Sequence, residues 1–453
     1  MGKKIIVAGG GHGGIAAAAI LAEHGFDITV YEKNKREDMG YDWTDIFDRK
    51  GLLACGMEMP PEDKYRLKND MTFFSPSRNK KLKQHVPEDQ LEIQMERKDI
   101  YNHIIAHAEK CGVKFVYETE ILAPVMLGGR VAGIKTKDET IYADLVIDSA
   151  GINSPIRKKL PDALGIQKEP DKYDTFYVYR AFYNKTAPVE DDKYRVYLLF
   201  DNKQQICWVA DDEEYTDVLI GRFTPLTDEE VEDTLGKLRE LNDDLGTERL
   251  RGGQYVTIPV RQPLGLLVAD GYAAIGDSAF MTVPIIGSGI ANSLKAARLL
   301  ADAVLDDRDE LFSADTLWKY QRDFYKKLGA GLAPIAIIKL MVARFSPKDL
   351  DYFFDNEILN SDDMTIGADT NSIMCFIEKL MNLNSLKLKV KGVMSDFVLS
   401  RKVLGMNTRI AAVMAITKAM PVRYDRKRVL SWVEGYNTVS YTHLRAHETE
   451  LHL

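Results

Sequence analysis

The N-terminal segment contains the feature that most constrains the fold: a strand, a glycine-rich turn, a helix and a second strand that ends in an acid. Residues 3–8, apolar from position 5 onward, predict the first strand, and an alanine-rich run at 15–22 predicts the helix. Residues 26–31 predict the second strand, which Glu32 follows directly. This order of elements is typical of a βαβ unit that binds a dinucleotide at the carboxyl ends of its strands.

The turn between the first strand and the helix reads Gly-Gly-Gly-His-Gly-Gly and satisfies the pattern G-x-G-x-x-G. The first glycine of the pattern permits the tight turn, the second lets the backbone approach a pyrophosphate, and the third lets the helix pack close to the strand. Unpaired amides and a partial positive charge at the helix N-terminus attract phosphate, and the acid is placed to accept hydrogen bonds from the adenosine ribose. The sequence therefore predicts an adenine dinucleotide site that contains Gly9, Gly11, His12, Gly13, Gly14 and Glu32.

A second glycine-rich segment lies far downstream, at residues 267–292. A short apolar strand ends in Gly-Asp, with Asp277 as the acid, and a turn with Gly287 and Gly289 leads to a helix that starts near Ile290. The segment resembles the G-D motif and the P-x-x-G-x-G turn of FAD-dependent enzymes in the geranylgeranyl reductase and p-hydroxybenzoate hydroxylase superfamily. The resemblance implies that the aspartate binds the ribityl hydroxyls of FAD. It also implies that the helix N-terminus points at the N1/C2 edge of the flavin and stabilises negative charge there.

Further positions follow the order of the same superfamily. The resemblance implies that Arg97 reaches the phosphate region of FAD and that Ile121 stands where the backbone meets adenine. The segment after the strand 145–148 matches the family pattern at three positions, Gly151, Ser154 and Arg157. Ala150, however, occupies the place of an aspartate that the hydroxylases use with NAD(P)H and flavin, which weakens a monooxygenase interpretation.

The segment that follows the second strand is expected to pass the flavin ring, because the family passes its chain there. The cysteine of the reductases is missing from it, and Asp42, Trp43 and Asp45 are candidates for positions near the flavin. No second G-x-G-x-x-G pattern follows a strand, so a dedicated nicotinamide domain is not expected. The electron donor stays open, with NAD(P)H as a transient candidate, and no catalytic residue is assigned.

A chain of 453 residues is too long for one compact core and suggests two or three domains. The predicted fold class is α/β: a discontinuous Rossmann-type FAD-binding domain, an inserted antiparallel-sheet substrate domain and a helical C-terminal extension. The predicted boundaries are 1–75, 91–165 and 256–325 for the FAD-binding domain, 76–90 and 166–255 for the substrate domain, and 326–438 for the helical region. Residues 439–453 differ from the rest in their histidine content and are predicted to be a non-native tail.

Aromatic and β-branched runs with apolar/polar alternation between residues 175 and 223 predict the antiparallel sheet. Tyr177, Tyr179 and Trp208 are candidates for a substrate pocket between this sheet and the flavin. Trp208 alone remains of the reductases' Y-x-W-x-F-P motif. Because successive residues of a strand point to opposite faces, only about half of such side chains can face the pocket.

Composition limits the partners. A formal charge of −8 argues against nucleic acid, and neither a targeting signal nor an uncharged run long enough for a bilayer is present, so a cytoplasmic location is expected. Four scattered cysteines without C-x-x-C spacing fit a reducing compartment and predict no metal site. Residues 385–430 contain 11 Lys/Arg against 2 Asp. That basic segment is either a solvated face or a surface for peripheral contact with an anionic membrane.

The leading functional prediction is a geranylgeranyl reductase-like, FAD-dependent oxidoreductase. It would transfer hydride between flavin N5 and an apolar or ring-bearing small molecule, with the protein supplying orientation, electrostatics and water exclusion. The first alternative is an aromatic-ring monooxygenase that uses NAD(P)H and O2. The second is a non-catalytic flavoprotein that passes electrons to a redox partner protein.

Overall fold

The computed structural model describes residues 3–68, 70–170, 174–364 and 397–448. Its strands are β1 (Lys4–Ala8), β2 (Asp27–Tyr31), β3 (Thr44–Phe47), β4 (Tyr65–Leu67), β5 (Met71–Phe74), β6 (Lys81–Lys83), β7 (Ile93–Glu96), β8 (Lys114–Val116), β9 (Ile121–Leu127), β10 (Arg130–Thr136), β11 (Thr140–Tyr142), β12 (Leu145–Asp148), β13 (Thr175–Lys185), β14 (Tyr194–Leu198), β15 (Gln205–Asp211), β16 (Tyr215–Arg222), β17 (Leu245–Pro259), β18 (Val268–Ala269) and β19 (Tyr272–Ala274).

The helices in the described ranges are α1 (His12–Glu23), α2 (Lys50–Ala54), α3 (Arg97–Lys110), α4 (Pro155–Lys159), α5 (Asp228–Arg239), α6 (Ile290–Asp306), α7 (Trp318–Phe324), α8 (Ala330–Val342), α9 (Pro347–Asp355), α10 (Ser361–Met364), α11 (Phe397–Lys418) and α12 (Arg426–Glu448). A π-helical turn at Tyr325–Gly329 joins α7 to α8. The predicted α/β fold class, with a Rossmann-like domain, antiparallel sheets and C-terminal helices, is confirmed.

The Rossmann-type domain is built on a six-stranded sheet with the order β18-β19-β12-β1-β2-β8. β1 pairs in parallel with both β2 and β12, and β19 extends β12 in parallel. The strands β1 and β12 are apolar and buried along most of their length; α1 packs on β1 and β2, and α6 packs in turn on α1. The carboxyl ends of β1, β2, β12 and β19 therefore meet at one edge.

The second large sheet is seven-stranded, with the order β17-β13-β16-β15-β14-β5-β6. Most of its neighbours are antiparallel, but β5 pairs in parallel with β14. The sheet therefore takes in residues 71–74, before the sequence boundary at 75, and β17 carries it to Pro259. One face is covered by α5, which begins after Thr227 with a capping box between Thr227 and Glu230.

A small three-stranded sheet, β3-β7-β4, connects the two large units. Three arginine contacts attach this small sheet to the substrate sheet. Arg180 of β13 donates to the carbonyl oxygen of Thr44 at 2.5 Å. Arg251 of β17 pairs with Glu96 at 2.6 Å, and Arg66 of β4 pairs with Asp212. These contacts tie the small sheet to the substrate sheet, and its strand β7 also leads directly into α3.

The helical C-terminal region packs on the Rossmann-type domain through aromatic side chains. Trp432 stacks on Tyr436, and Tyr325 meets both rings edge-on. In the described ranges, no helix combines the length and the apolar character that a bilayer crossing needs. Residues 385–396 of the basic segment and 449–453 of the predicted tail lie outside the described residues, whereas α12 continues through 439 to Glu448.

Candidate active site

The glycine turn between β1 and α1 packs directly against the end of β12. Gly9 has φ +88°, and a Cβ there would lie 2.6 Å from Cα of Ala150. A Cβ on Gly11 would overlap the Ser149 hydroxyl, and the Gly14 amide donates to that hydroxyl at 3.2 Å. The contact with Ser149 therefore requires Gly11 and Gly14, which was not visible from the motif alone.

Glu32 bridges the turn and the chain after β2. Its carboxylate accepts hydrogen bonds from the amides of Gly10 at 2.7 Å and Asn34 at 2.9 Å. The Glu32 carbonyl oxygen accepts from the amide of Thr119 at 2.9 Å, and Ile121 opens β9 two residues later. Glu32 and the approach to Ile121 thus lie together, as the sequence predicts, while their contacts with ribose and adenine stay predictions.

His12 is the first residue of α1 and is nearly enclosed. Its ring stacks on Tyr101 with 4.4 Å between the centroids and 28° between the planes. Burial lowers the pKa of His12 well below its ordinary value, and the positive charge of Arg97 lowers it further. The imidazole is therefore neutral at pH 7, and its buried Nε2 has no hydrogen-bond partner among the described residues. Gly13 leaves room for α6, because a Cβ there would lie 2.8 Å from the Ser293 carbonyl oxygen.

Arg97 is the first residue of α3 and lies at the same edge. One of its terminal nitrogens donates to both carboxylate oxygens of Asp45, at 3.0 and 2.9 Å. Its guanidinium carbon stands 4.4 Å from the centroid of the Tyr41 ring. Its Nε is buried and has no hydrogen-bond partner among the described residues. The predicted contact of Arg97 with a phosphate of FAD stays a prediction, and Asp45 is the partner that the structure assigns to it.

Asp277 follows β19 and lies beside the N-terminus of α6. Its carboxylate accepts a hydrogen bond from the Thr282 hydroxyl at 2.9 Å. A Cβ on Gly289, the residue before α6, would lie 3.5 Å from the same carboxylate oxygen. Burial raises the pKa of Asp277, whereas the Thr282 hydroxyl and the charge of Arg97 oppose that shift. The structure thus brings Asp277, Gly289, Ile290 and Arg97 into one region.

A buried polar network packs against the turn that contains Asp277. Its central acid, Asp148, was not identified in the sequence analysis. Asp148, at the end of β12, accepts from Ser154 at 2.5 Å and from the Tyr272 hydroxyl at 2.9 Å. Arg157 is fully buried and donates to the Ser278 carbonyl oxygen at 2.6 Å. Ser154 and Arg157 therefore hold the backbone next to Asp277. An acid two residues before Ala150 was the available signal.

The substrate sheet meets this edge through a buried ion pair that the sequence analysis also missed. Arg180 donates to both carboxylate oxygens of Asp217, at 2.8 and 2.5 Å, and each side chain is 3% exposed. The rings of Trp43 and Trp208 each lie 5.1 Å from its guanidinium carbon. The sequence signal for this pair was a charged residue in an otherwise apolar predicted strand. Together with its bonds to Thr44, this pair fixes the segment 41–45 against the sheet.

The two predicted tyrosines lie on the other face of that sheet. Tyr179 is buried in the cluster that α5 covers, and its hydroxyl is 3.1 Å from the hydroxyl of Tyr183. Tyr177 shares that face because residues two apart in a strand point the same way. The pocket role predicted for Tyr177 and Tyr179 is therefore wrong, and the even-numbered residues of β13 occupy the opposite face, where Trp208 lies.

The face with Trp208 is apolar and abuts the α6 turn. Gly287, with φ +73°, lies beside the substrate sheet: a Cβ there would be in ordinary contact with the Ile258 side chain, at 3.6 Å. Asp42, the third candidate of its segment, faces away from this cluster and pairs with Arg251 at 2.8 Å. The members of the apolar cluster are Trp43, Val178 and Leu219, with Tyr41, Phe176, Trp208, Val256 and Ile258 packed against them.

Comparison with known proteins places this geometry in a class. A family model described as an NAD(P)-binding Rossmann-like domain matches residues 7–85. The digeranylgeranylglycerophospholipid reductase of Sulfolobus acidocaldarius is 24% identical over 385 residues, which cover 82% of this chain and 84% of that protein. A geranylgeranyl bacteriochlorophyll reductase-like structure from Thermoplasma acidophilum has a TM-score of 0.70 at 18% identity, covering 86% of this chain and 99% of that one. A probable FAD-dependent monooxygenase from Pseudomonas aeruginosa, PqsL, has a TM-score of 0.59 at 19% identity, covering 78% of this chain and 100% of that one.

The related reductases and the Rossmann-like domain support an FAD-dependent oxidoreductase, and the chain is an enzyme of this class. It fits the superfamily that contains the geranylgeranyl reductases and the p-hydroxybenzoate hydroxylase-like enzymes. The reductases resemble it in sequence over most of its length, whereas the likeness to the monooxygenase structure is one of fold.

The residues at the edge fit the cofactor of this family. The unpartnered buried Nε2 of His12 and Nε of Arg97 lie at the starts of α1 and α3, where helix N-termini favour phosphate. Asp277 offers a carboxylate that accepts only one hydrogen bond among the described residues, from Thr282. Donors for a pyrophosphate and an acceptor for ribityl hydroxyls are therefore both present.

Proposed function

We propose that the chain binds FAD at this edge and transfers hydride between flavin N5 and an apolar or ring-bearing small molecule, as a geranylgeranyl reductase-like enzyme. The observation that carries the proposal is the apolar face of the substrate sheet beside the α6 turn, where Ile258 approaches Gly287. FAD, when bound, supplies the redox chemistry. The chain supplies binding, orientation and exclusion of water.

Each part of the edge has a separate task in this proposal. His12 and the amides of the glycine turn bind the pyrophosphate, with Arg97 beside them, and Glu32 binds the adenosine ribose. Asp277 accepts hydrogen bonds from the ribityl chain. The N-terminus of α6, at Gly289 and Ile290, stabilises negative charge on the reduced ring through its dipole.

The surroundings of the apolar cluster favour an uncharged substrate. Arg180 lies at this face, and its donors are occupied by Asp217 and Thr44, so its charge is compensated. Trp43 and Trp208 supply aromatic surface on either side of that pair. The names of the related reductases point to isoprenoid double bonds as the groups to be reduced, which suits a surface of this kind.

An anaerobic experiment tests the proposal. The protein is reconstituted with FAD, photoreduced without oxygen and mixed with digeranylgeranylglycerophospholipid, with geranylgeraniol or with an aromatic acid. We expect reoxidation of the flavin by an unsaturated isoprenoid in the absence of oxygen, with a product two hydrogens heavier. Absence of anaerobic reoxidation, with label from 18O2 appearing in an aromatic product and NAD(P)H consumed, would assign the chain to the monooxygenases instead. Turnover with only a redox protein would assign it to the electron carriers.

The partners and the location belong to the same proposal. We infer a cytoplasmic enzyme. Its formal charge of −8 favours a small molecule over nucleic acid as its partner. The basic segment 385–430 would bring the enzyme to an anionic membrane surface that holds an apolar substrate. Cosedimentation with phosphatidylserine vesicles at low and high salt tests that contact, and binding that salt does not weaken would argue against it.

A further inference from the structure

We propose that Glu23, His107 and Cys111 form a binding site for a divalent transition-metal ion of the zinc class. Each residue contributes one ligand atom, and the three atoms lie within 4.8 Å of one another. The site lies at the surface, where α1 and α3 end. The proposal does not depend on the function proposed above.

The distances in this cluster match the coordination of zinc. Sγ of Cys111 lies 3.3 Å from Oε1 of Glu23 and 3.7 Å from Nε2 of His107. In a tetrahedral site, metal–ligand bonds of about 2.0–2.3 Å place neighbouring ligand atoms roughly 3.5 Å apart. The thiol is therefore already at about the right distance from both the carboxylate and the imidazole, all three ligand atoms lie within 4.8 Å of one another, and water can supply the fourth ligand.

The local sequence explains why the three residues meet. His107 and Cys111 are four residues apart at the end of α3, so they lie on the same helix face. Glu23 is the last residue of α1, which packs beside α3. Both helices direct the negative ends of their dipoles at this point, and a cation placed there is stabilised by both.

The chemistry of the three side chains also suits a metal ion. Metal binding would release the thiol proton of Cys111 to water, as is usual for thiolate ligands. The carboxylate of Glu23 would add negative charge where the cation binds.

The proposed site departs from the expectation of no metal site, which rested on the spacing of the cysteines. That reasoning considered cysteine pairs and did not consider a single cysteine with a histidine four residues before it. The third ligand lies 84 positions before His107 in the chain, from 23 to 107, and only the packing of α1 on α3 brings it near.

Cobalt and zinc titrations of the full-length protein test the site. The histidines of the C-terminal tail, His443, His447 and His452, are first replaced by alanine so that they cannot bind metal. We expect one equivalent of Zn2+ by elemental analysis, and a thiolate-to-metal charge-transfer band with Co2+. Loss of an outer-shell partner alone costs about 10- to 100-fold in affinity, so Cys111→Ala and His107→Ala should each lower Zn2+ affinity by more than that.

A matched control is His24→Ala, because His24 follows Glu23 but turns its Nδ1 back to the Ile20 carbonyl oxygen at 2.8 Å. This variant should bind Zn2+ like the parent. Equal loss of affinity in the control, or a Co2+ complex without the charge-transfer band, would overturn the proposal.

A second measurement needs no substitution at the site. Zn2+, but not Mg2+, should slow alkylation of Cys111 by iodoacetamide, as followed by peptide mass spectrometry. Unchanged alkylation of Cys111 at saturating Zn2+ would also overturn the proposal.

Discussion

Replacing Asp217 with asparagine tests whether the buried ion pair with Arg180 holds the segment 41–45 in place. Each partner is 3% exposed, so the change leaves a cation buried without its counter-charge. Breaking a buried pair in this way costs about 3–5 kcal/mol of folding stability. The same guanidinium donates to Thr44, so the variant should also loosen the segment that carries Asp45, the partner of Arg97.

Two assays separate the two effects. Urea unfolding of the FAD-free protein measures the stability loss as a lower midpoint. Titration of the protein with FAD, followed by flavin fluorescence, measures the FAD affinity to which Arg97 is proposed to contribute. Asp244→Asn is the matched control, because Asp244 pairs with Arg195 at 2.7 and 2.6 Å inside the same sheet. It should lose stability and retain FAD affinity.

A double variant makes the reasoning refutable. Arg180→Met combined with Asp217→Leu removes both charges, and apolar replacement of a buried pair is often neutral or stabilising. Stability should therefore recover while FAD affinity stays low, because the bonds to Thr44 are not restored. Two results would refute the reasoning: a urea midpoint of Asp217→Asn equal to that of the parent, or a loss of FAD affinity no larger than that of Asp244→Asn. Either would show that the Arg180–Asp217 pair does not hold the segment 41–45 in place.

Three further expectations follow from the site. The protein as purified should carry non-covalently bound FAD, so acid precipitation should release FAD rather than FMN, since the unit that ends in Glu32 would be superfluous for a mononucleotide. Asp277→Ala should lose charge-assisted hydrogen bonds of about 1.5–3 kcal/mol, or roughly 10- to 100-fold in FAD affinity, and an unchanged dissociation constant in titrations would assign the residue to the fold. Because the pKa of His12 is lowered in the folded state, the unfolded chain binds more protons below the ordinary histidine pKa, and stability should fall as pH drops from 7.5 to 5.5. His12→Gln should flatten that urea-midpoint profile, and a slope equal to that of the parent would contradict the assignment.

The sequence allowed parts of the candidate cofactor site to be predicted where all their residues lie in one continuous stretch of chain. The glycine turn, the start of α1 and Glu32 lie within one βαβ unit, so their order fixes their mutual position. The Gly-Asp277 segment is similar, because its strand, acid and helix start are consecutive. These elements carry most of the proposed cofactor site.

The faces of the substrate sheet were not readable in the same way. Alternation in β13 separates Tyr177 and Tyr179 from Val178 and Arg180, but it does not say which set α5 covers. That choice depends on a helix about 50 residues downstream, from 177 to 228. The parallel pairing of β5 with β14 is equally non-local, which is why the sheet begins before the expected boundary.

The three arginine contacts between the small sheet and the substrate sheet differ in their access to ions. Arg66 and Arg251 are partly exposed, with 41% and 27% of their side chains accessible, whereas Arg180 is enclosed. Dissolved electrolyte screens exposed charges over about 8 Å at physiological ionic strength and scarcely reaches enclosed ones. Raising ionic strength therefore weakens the two exposed ion pairs of this junction and leaves the enclosed contact of Arg180 largely unaffected.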